Sequence, residues 1–143
     1  MDKNIYIEPD NMKTIYQALL KAQSEFPSVK KESTNPFFKN KYAGLESILE
    51  VILPILHENG LFIVQSPISE GDRVGVQTSI FSENGEEIKS SFTMALSKND
   101  PQGAGSAITY AKRYALIGML GLNLESDDDA NASSGLSEPV IRR

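Results

Sequence analysis

The sequence has no cysteine, a single histidine and no long apolar run. Without cysteine there can be no disulfide, no thiolate metal site and no cysteine nucleophile, a composition that fits a cytosolic setting. The one histidine, His57, leaves no pair for a zinc ion, and a histidine base needs a partner to orient it. Near the end of a helical stretch it reads as a surface or capping residue. No apolar segment approaches the roughly 20 residues that cross a bilayer. The first ten residues, MDKNIYIEPD, lack the apolar segment of a secretory signal. There is no GxxxxGK[ST] loop to cradle a nucleoside triphosphate. Gly103-Ala104-Gly105 matches half of a dinucleotide fingerprint but follows Asp100-Pro101, not a buried strand. Asp127-Asp128-Asp129 offers magnesium a loose site at most, and reads first as a solvated run. A small hydrolase built on that run is the weakest reading. The chain is therefore expected not to be an enzyme and to need no cofactor or metal.

What is present is an ordinary core and an uneven charge. At 143 residues, with 40% hydrophobic and 23% charged residues, the chain suits one globular domain. A net charge of -5 argues against nucleic acid when taken alone. The cations, however, are gathered. Residues 28–42 hold Lys30, Lys31, Lys39 and Lys41 against Glu32, and residues 89–113 hold Lys89, Lys98, Lys112 and Arg113 against Asp100. Phosphate binding follows such local clusters rather than the sum.

Hydrophobic spacing predicts a helix over 11–26, with Met12, Ile15, Tyr16, Leu19, Gln23 and Phe26 on one stripe, Asp10 or Asn11 as cap and Pro27 as stop. Residues 28–43 have no period and read as a loop with a turn at Asn35-Pro36 and an extended piece at Phe37-Phe38. A second helix is expected from Leu45 to Asn59, its stripe Leu45, Ile48, Leu49, Ile52 and Leu56, with Gly60 as left-handed cap and a kink or early stop at Pro54. Leu61 to Ile68 reads as a strand. Asn84-Gly85 then marks a hairpin between 73–82 and 86–96. A two-residue loop would mix the faces of that hairpin. A three-residue loop, Glu83-Asn84-Gly85 with Gly85 as a bulge, opposes Val74 to Met94, Val76 to Phe92, Thr78 to Ser90 and Ile80 to Ile88. That register separates an apolar face from a polar one carrying Arg73, Gly75, Gln77, Ser79, Lys89, Ser91 and Thr93, so it is preferred. Asp100-Pro101 opens a last helix to about Leu120 or Gly121, with Ile108, Ala111, Ala115, Gly118, Met119 and Leu122 turned inward. The fold class that follows is α+β, an antiparallel sheet of at least three strands with helices packed on one face. Residues 1–122 form the expected core domain, and 123–143 an acidic, flexible tail.

Two stretches interleave positive charge with rings: Asn35-Pro36-Phe37-Phe38-Lys39-Asn40-Lys41-Tyr42 and Tyr110-Ala111-Lys112-Arg113-Tyr114. A single strand held without sequence preference needs those parts: cations along its backbone and rings on which bases stack for roughly 1–3 kcal/mol each. In a plainer account the rings are core and the lysines solvated, and the pattern alone leaves both open. Gly103, Gly105, Ser106 and Ala107, ahead of the second stretch, are expected to let the helix start close to its own sheet or to a neighbouring subunit.

The first stretch, continued through Ala43-Gly44-Leu45, resembles the NPxFKxKYADL segment of the essential recombination function (Erf) family of phage single-strand annealing proteins. Lys98-Asn99-Asp100-Pro101-Gln102, followed by Gly105-Ser106-Ala107-Ile108-Thr109-Tyr110-Ala111-Lys112-Arg113-Tyr114-Ala115-Leu116, is similar to its second signature. Asp127-Asp128-Asp129-Ala130-Asn131 is similar to its end-of-core segment, so the resemblance spans roughly residues 11–131. It implies an ATP-independent protein that binds single-stranded DNA and pairs complementary strands in phage recombination. It also implies a fold related to the eukaryotic single-strand annealing recombinases, homo-oligomeric rings or filaments, and the cytoplasm of a bacterial host. The partners implied are a phage recombination nuclease or a single-strand binding protein, with no membrane. Carried over by position, Lys39, Lys41, Tyr42, Lys98, Lys112 and Arg113 would bind DNA. Phe37, Phe38, Tyr110 and Tyr114 would stack on bases or make subunit contacts. Gly44 stands where the family motif has an acid, which removes a carboxylate cap from the second helix. The alternative reading is a structural or regulatory oligomeric phage module without annealing activity.

Overall fold

A computed structural model describes residues 14–125. In chain order the elements are α1 (Ile15–Glu25), β1 (Ser33–Thr34), β2 (Lys41–Tyr42), α2 (Leu45–Glu58), β3 (Leu61–Glu70), β4 (Arg73–Ser82), β5 (Glu87–Ala95) and α3 (Pro101–Leu120). The layout is α+β: an antiparallel sheet ordered β3-β4-β5, a separate β1-β2 pair, and three helices.

Helix α1 opens with a reciprocal cap. The Thr14 hydroxyl accepts from the Gln17 N–H at 3.1 Å, and the Gln17 side chain accepts from the Thr14 N–H at 2.9 Å. Asp10, Asn11 and Met12, expected in this helix or its cap, lie outside the described residues. The buried face is Ile15, Ala18 and Ala22, while Tyr16, placed on the core stripe by its spacing, is exposed. Alanines at the contact let α1 lie close to its neighbours, and that turns the tyrosine outward.

The stretch expected as a loop is a short hairpin. Ser33 faces Tyr42 and Thr34 faces Lys41, so the extended pieces flank Phe37-Phe38, which sit in the turn. Asn35 decides this. Its Oδ1 accepts from the N–H groups of Phe37 (2.8 Å) and Phe38 (3.1 Å), its carbonyl accepts from Lys39 N–H (2.8 Å), and its own N–H donates to Asn40 O (2.8 Å). Lys39 takes a left-handed φ of 62° to complete the turn.

Helix α2 buries Ile48, Ile52 and Leu56, and Gly60 follows it at φ 74°. It does not stop early at Pro54. The proline is exposed, so the carbonyl its missing N–H leaves unpaired is on the solvent side, where water can serve it. Asn59 ties the end of α2 to α1, donating to Glu25 Oε1 at 3.0 Å and to Ile55 O at 2.8 Å.

The β4–β5 register is the expected one: Val74↔Met94, Val76↔Phe92, Thr78↔Ser90 and Ile80↔Ile88, with Gly85 at φ 88°. Val74, Val76, Thr78 and Ile80 are buried on one face. The opposite face is polar along β4 and β5 from Arg73 to Ser79, but Phe81 of β4 also lies on it, and β3 adds Phe62 opposite Phe81 and Val64 opposite Ser79. Gly75 permits a close backbone approach, since a Cβ on it would fall 1.8 Å from Phe92 O.

Asp100 caps α3, its Oδ1 accepting from Gly103 N–H at 2.7 Å, and Gly121 closes it at φ 63°. The buried residues of α3 are Ala107, Ala111, Leu116 and Leu120. The expected stripe through Ile108, Ala115, Gly118 and Met119 is thus rotated, with Gly118 exposed and the other three only partly covered. Small Ala107 and Ala111 let the first half of α3 settle on the sheet, and the two leucines anchor its second half. Beyond α3, Glu125 N–H donates to Val29 O (2.7 Å) and Val29 N–H to Asn123 O (2.9 Å). Asp127-Asp128-Asp129 and the rest of the expected tail lie outside the described residues.

Candidate functional site

Helical spacing puts Tyr110 and Tyr114 one turn apart on α3, and their rings meet at 4.5 Å between centroids. The Tyr110 hydroxyl donates to the Tyr114 hydroxyl at 3.1 Å. That bond, then burial, holds the Tyr110 phenol above its ordinary range, with the Arg113 charge acting the other way. Arg113 lies between elements. Its guanidinium sits 4.6 Å from the Tyr42 ring, 5.4 Å from Tyr110 and 5.7 Å from Tyr114. Its Nε donates to the carbonyl of buried Ala43 at 3.0 Å. No described residue accepts from its two Nη groups.

Arg113 therefore does two things. It clips the end of β2 to α3, and it places a cation among three rings. Phe92, at the exposed edge strand β5, extends the row, 6.4 Å from Tyr114. The result is an aromatic track from Phe92 through Tyr114 and Tyr110 to Tyr42, with Arg113 set in it. Phe92, Tyr110 and Tyr114 are all exposed.

An open cleft of about 550 Å³ adjoins the track, lined by Tyr42, Gln102, Gly105, Ser106, Thr109, Tyr110 and Arg113. The small residues at the start of α3 divide their work here. A Cβ on Gly103 would fall 2.2 Å from Lys98 O, so Gly103 lets the incoming chain pass close. Ala107 is buried. A Cβ on Gly105 would meet nothing within 4 Å, and Gly105 instead lines the cleft with Ser106. Of these four residues only Ala107 is buried, and it carries the expected close approach to the sheet together with Ala111.

Of the expected site residues, Tyr42, Tyr110, Arg113 and Tyr114 come together. The other cations do not touch them. Lys39 and Lys41 are exposed on the β1-β2 hairpin, and Lys98 is exposed in the turn before α3. Lys112 is half-buried beside Arg113, with its carbonyl accepting from Gln65 Nε2 at 3.2 Å. Phe37 and Phe38 stand at the hairpin tip. Phe92, Gln102 and Thr109 are not singled out by the sequence as site residues, and Ser106 is expected there only to let α3 start close to its sheet or to a neighbouring subunit. Phe92 was assigned to the apolar face opposite Val76, which is correct, but β5 is an edge strand and leaves the ring uncovered. The three polar residues fall on the Tyr110–Arg113 side of α3, a signal available from helical spacing.

No solved structure matches the chain. The essential recombination function protein of Salmonella phage P22 is 30% identical over 123 residues, covering 82% of this chain and 60% of that protein. The chain thus spans less than two thirds of that relative's length. The ERF superfamily model matches residues 15–138, which takes in both aromatic-basic segments and every element described above. On that match, the chain belongs to the ERF superfamily.

Proposed function

We propose that this chain acts in phage recombination by binding single-stranded DNA and pairing complementary strands without ATP, as a homo-oligomer in the bacterial cytoplasm. The observation that carries the reading is the row Phe92–Tyr114–Tyr110–Tyr42, its first three rings exposed and Tyr42 half-buried, with Arg113 among them. Rings of this kind accept any base by stacking, and cations beside them hold the phosphates. Lys39, Lys41, Lys98 and Lys112 supply further positive charge along the path, and Arg113 offers its Nη groups, which no described residue engages as an acceptor. Backbone contacts position a strand without reading it, so base edges stay free to find their complement. Pairing needs no fuel, because each duplex step returns about 1.4 kcal/mol on average. The protein has only to offset the repulsion between two phosphate chains. No catalytic group is required. A recombination nuclease or a single-strand binding protein would act on the same DNA.

Mixing the protein with two complementary labelled oligonucleotides, without ATP and at rising salt, tests this. Faster duplex formation that fades with salt is the expected result. Unchanged annealing and no oligonucleotide binding, with the protein folded, would leave the structural or regulatory module as the better reading.

A further inference from the structure

Two apolar surfaces lie outside the aromatic track, one on the β1-β2 hairpin and one on the sheet face turned away from α3. The first is the β1-β2 hairpin tip, where Phe37 and Phe38 are 86% and 78% exposed. This tip is not slack. Asn35 fastens the turn with its side chain and both of its backbone groups, and Arg113 clips the hairpin base to α3. Rings presented on a fastened support have already lost much of the freedom that binding would remove. The second is the sheet face turned away from α3. There the Phe62 ring stacks on Phe81 at 5.2 Å and 21°, and Phe62 and Val64 remain 45% and 43% exposed. The two rings form a flat platform.

The charges beside these surfaces are opposite. Lys39 and Lys41 flank the tip. Beside the platform, Glu87 is in register with Phe81, its carboxylate accepting from the Ser79 hydroxyl at 2.6 Å. The nearest cation in register, Lys89, is two residues further along β5, opposite Ser79.

We propose that the Phe37–Phe38 tip of one copy seats on the Phe62–Phe81 platform of the next. The inference rests on the self-assembly part of the proposed function and names its surfaces. The hairpin is clipped to α3 and the platform is on the sheet face turned away from α3, so the contact forms between copies. Two different patches meet, so the arrangement is head-to-tail and continues into a ring or filament rather than stopping at a dimer.

The test uses the full chain and two variants at exposed positions: Phe37→Ser/Phe38→Ser, which removes the tip, and Phe62→Ser, which removes the platform. Thermal melting checks that both fold. Sedimentation velocity is expected to show self-association weakened on the order of tenfold to a hundredfold in each. Mixed in equal amounts, the two retain one matching pair of surfaces and should form a heterodimer and nothing larger. Variants as large as the parent, or a mixture that stays monomeric, would overturn the proposal. So would a tip variant that assembles normally but loses oligonucleotide binding, which would assign the rings to bases. A parent chain that is monomeric yet anneals DNA would remove self-assembly itself while leaving strand pairing intact.

Discussion

Replacing Arg113 by alanine removes two things of different kinds, and they can be measured apart. The first is structural. The Nε–H to Ala43 carbonyl bond closes over a buried residue, and an unpaired buried carbonyl costs about 1–3 kcal/mol. The guanidinium over the Tyr42 ring contributes about 0.5–2 kcal/mol, the lower end applying where water reaches it. Together the loss is about 1.5–5 kcal/mol, a large share of the roughly 5–15 kcal/mol that holds a domain folded. The urea midpoint should fall with the slope unchanged, because the surface exposed on unfolding is the same. The second loss is one cation at the phosphate path. For single strands each phosphate contact contributes about 0.7 to the slope of log affinity against log salt, so that slope should flatten by about that amount, equally for all sequences. Arg113→Lys separates the effects. Lysine keeps the charge but lacks the planar fork and the Nε donor, so it should destabilise nearly as much as alanine while keeping the salt slope. An unchanged urea midpoint for Arg113→Ala would refute the claim that this residue clips the hairpin to α3.

Other substitutions probe other links. Gly105 and Gly118 both lie in α3 with open space where a Cβ would go, so alanine at either should stabilise by about 0.5–1 kcal/mol in thermal melts. Gly105→Ala should also weaken oligonucleotide binding, because it narrows the cleft, whereas Gly118→Ala should leave binding alone. Equal binding by the two would remove the cleft from the site. Gly75→Ala puts a methyl group 1.8 Å from Phe92 O, and a fixed backbone atom cannot yield cheaply. We expect a loss of at least about 2 kcal/mol in chemical denaturation. Glu86 accepts from Ile15 N–H at 2.9 Å, bringing a carboxylate to the start of α1. Glu86→Ala should cost about 1–2 kcal/mol, while Glu86→Gln keeps the acceptor and should recover part of it in the same melts. Finally, the Tyr110 proton is held more tightly in the folded state than in the unfolded chain. Its contribution to stability is complete below the ordinary phenol range and is lost as pH rises through the raised value. Tyr114→Phe removes the acceptor, so the tyrosinate absorbance of Tyr110 should then appear at lower pH.

Local chemistry made much of this molecule legible from its sequence. Asn84-Gly85 and the alternation around it determined the β4–β5 register, because only one register keeps the faces apart. Asp100-Pro101 and Gly60 determined helix ends, because caps and left-handed glycines act over a few residues. The clustering of Tyr110, Arg113 and Tyr114 followed from helical spacing. Tertiary structure alone decided the rest. Which side of α1 and α3 turned inward depended on where alanines met a partner, so Tyr16 ended outside and the α3 stripe rotated. That Arg113 meets Tyr42 and the Ala43 carbonyl, from a segment far away in the chain, appears in no local pattern. Phe92 joined the site because β5 became an edge strand, and Phe62 and Phe81 became a platform because β3 paired beside β4. These outcomes depend on which elements become neighbours, and a residue's spacing in sequence carries no record of the partner it will meet.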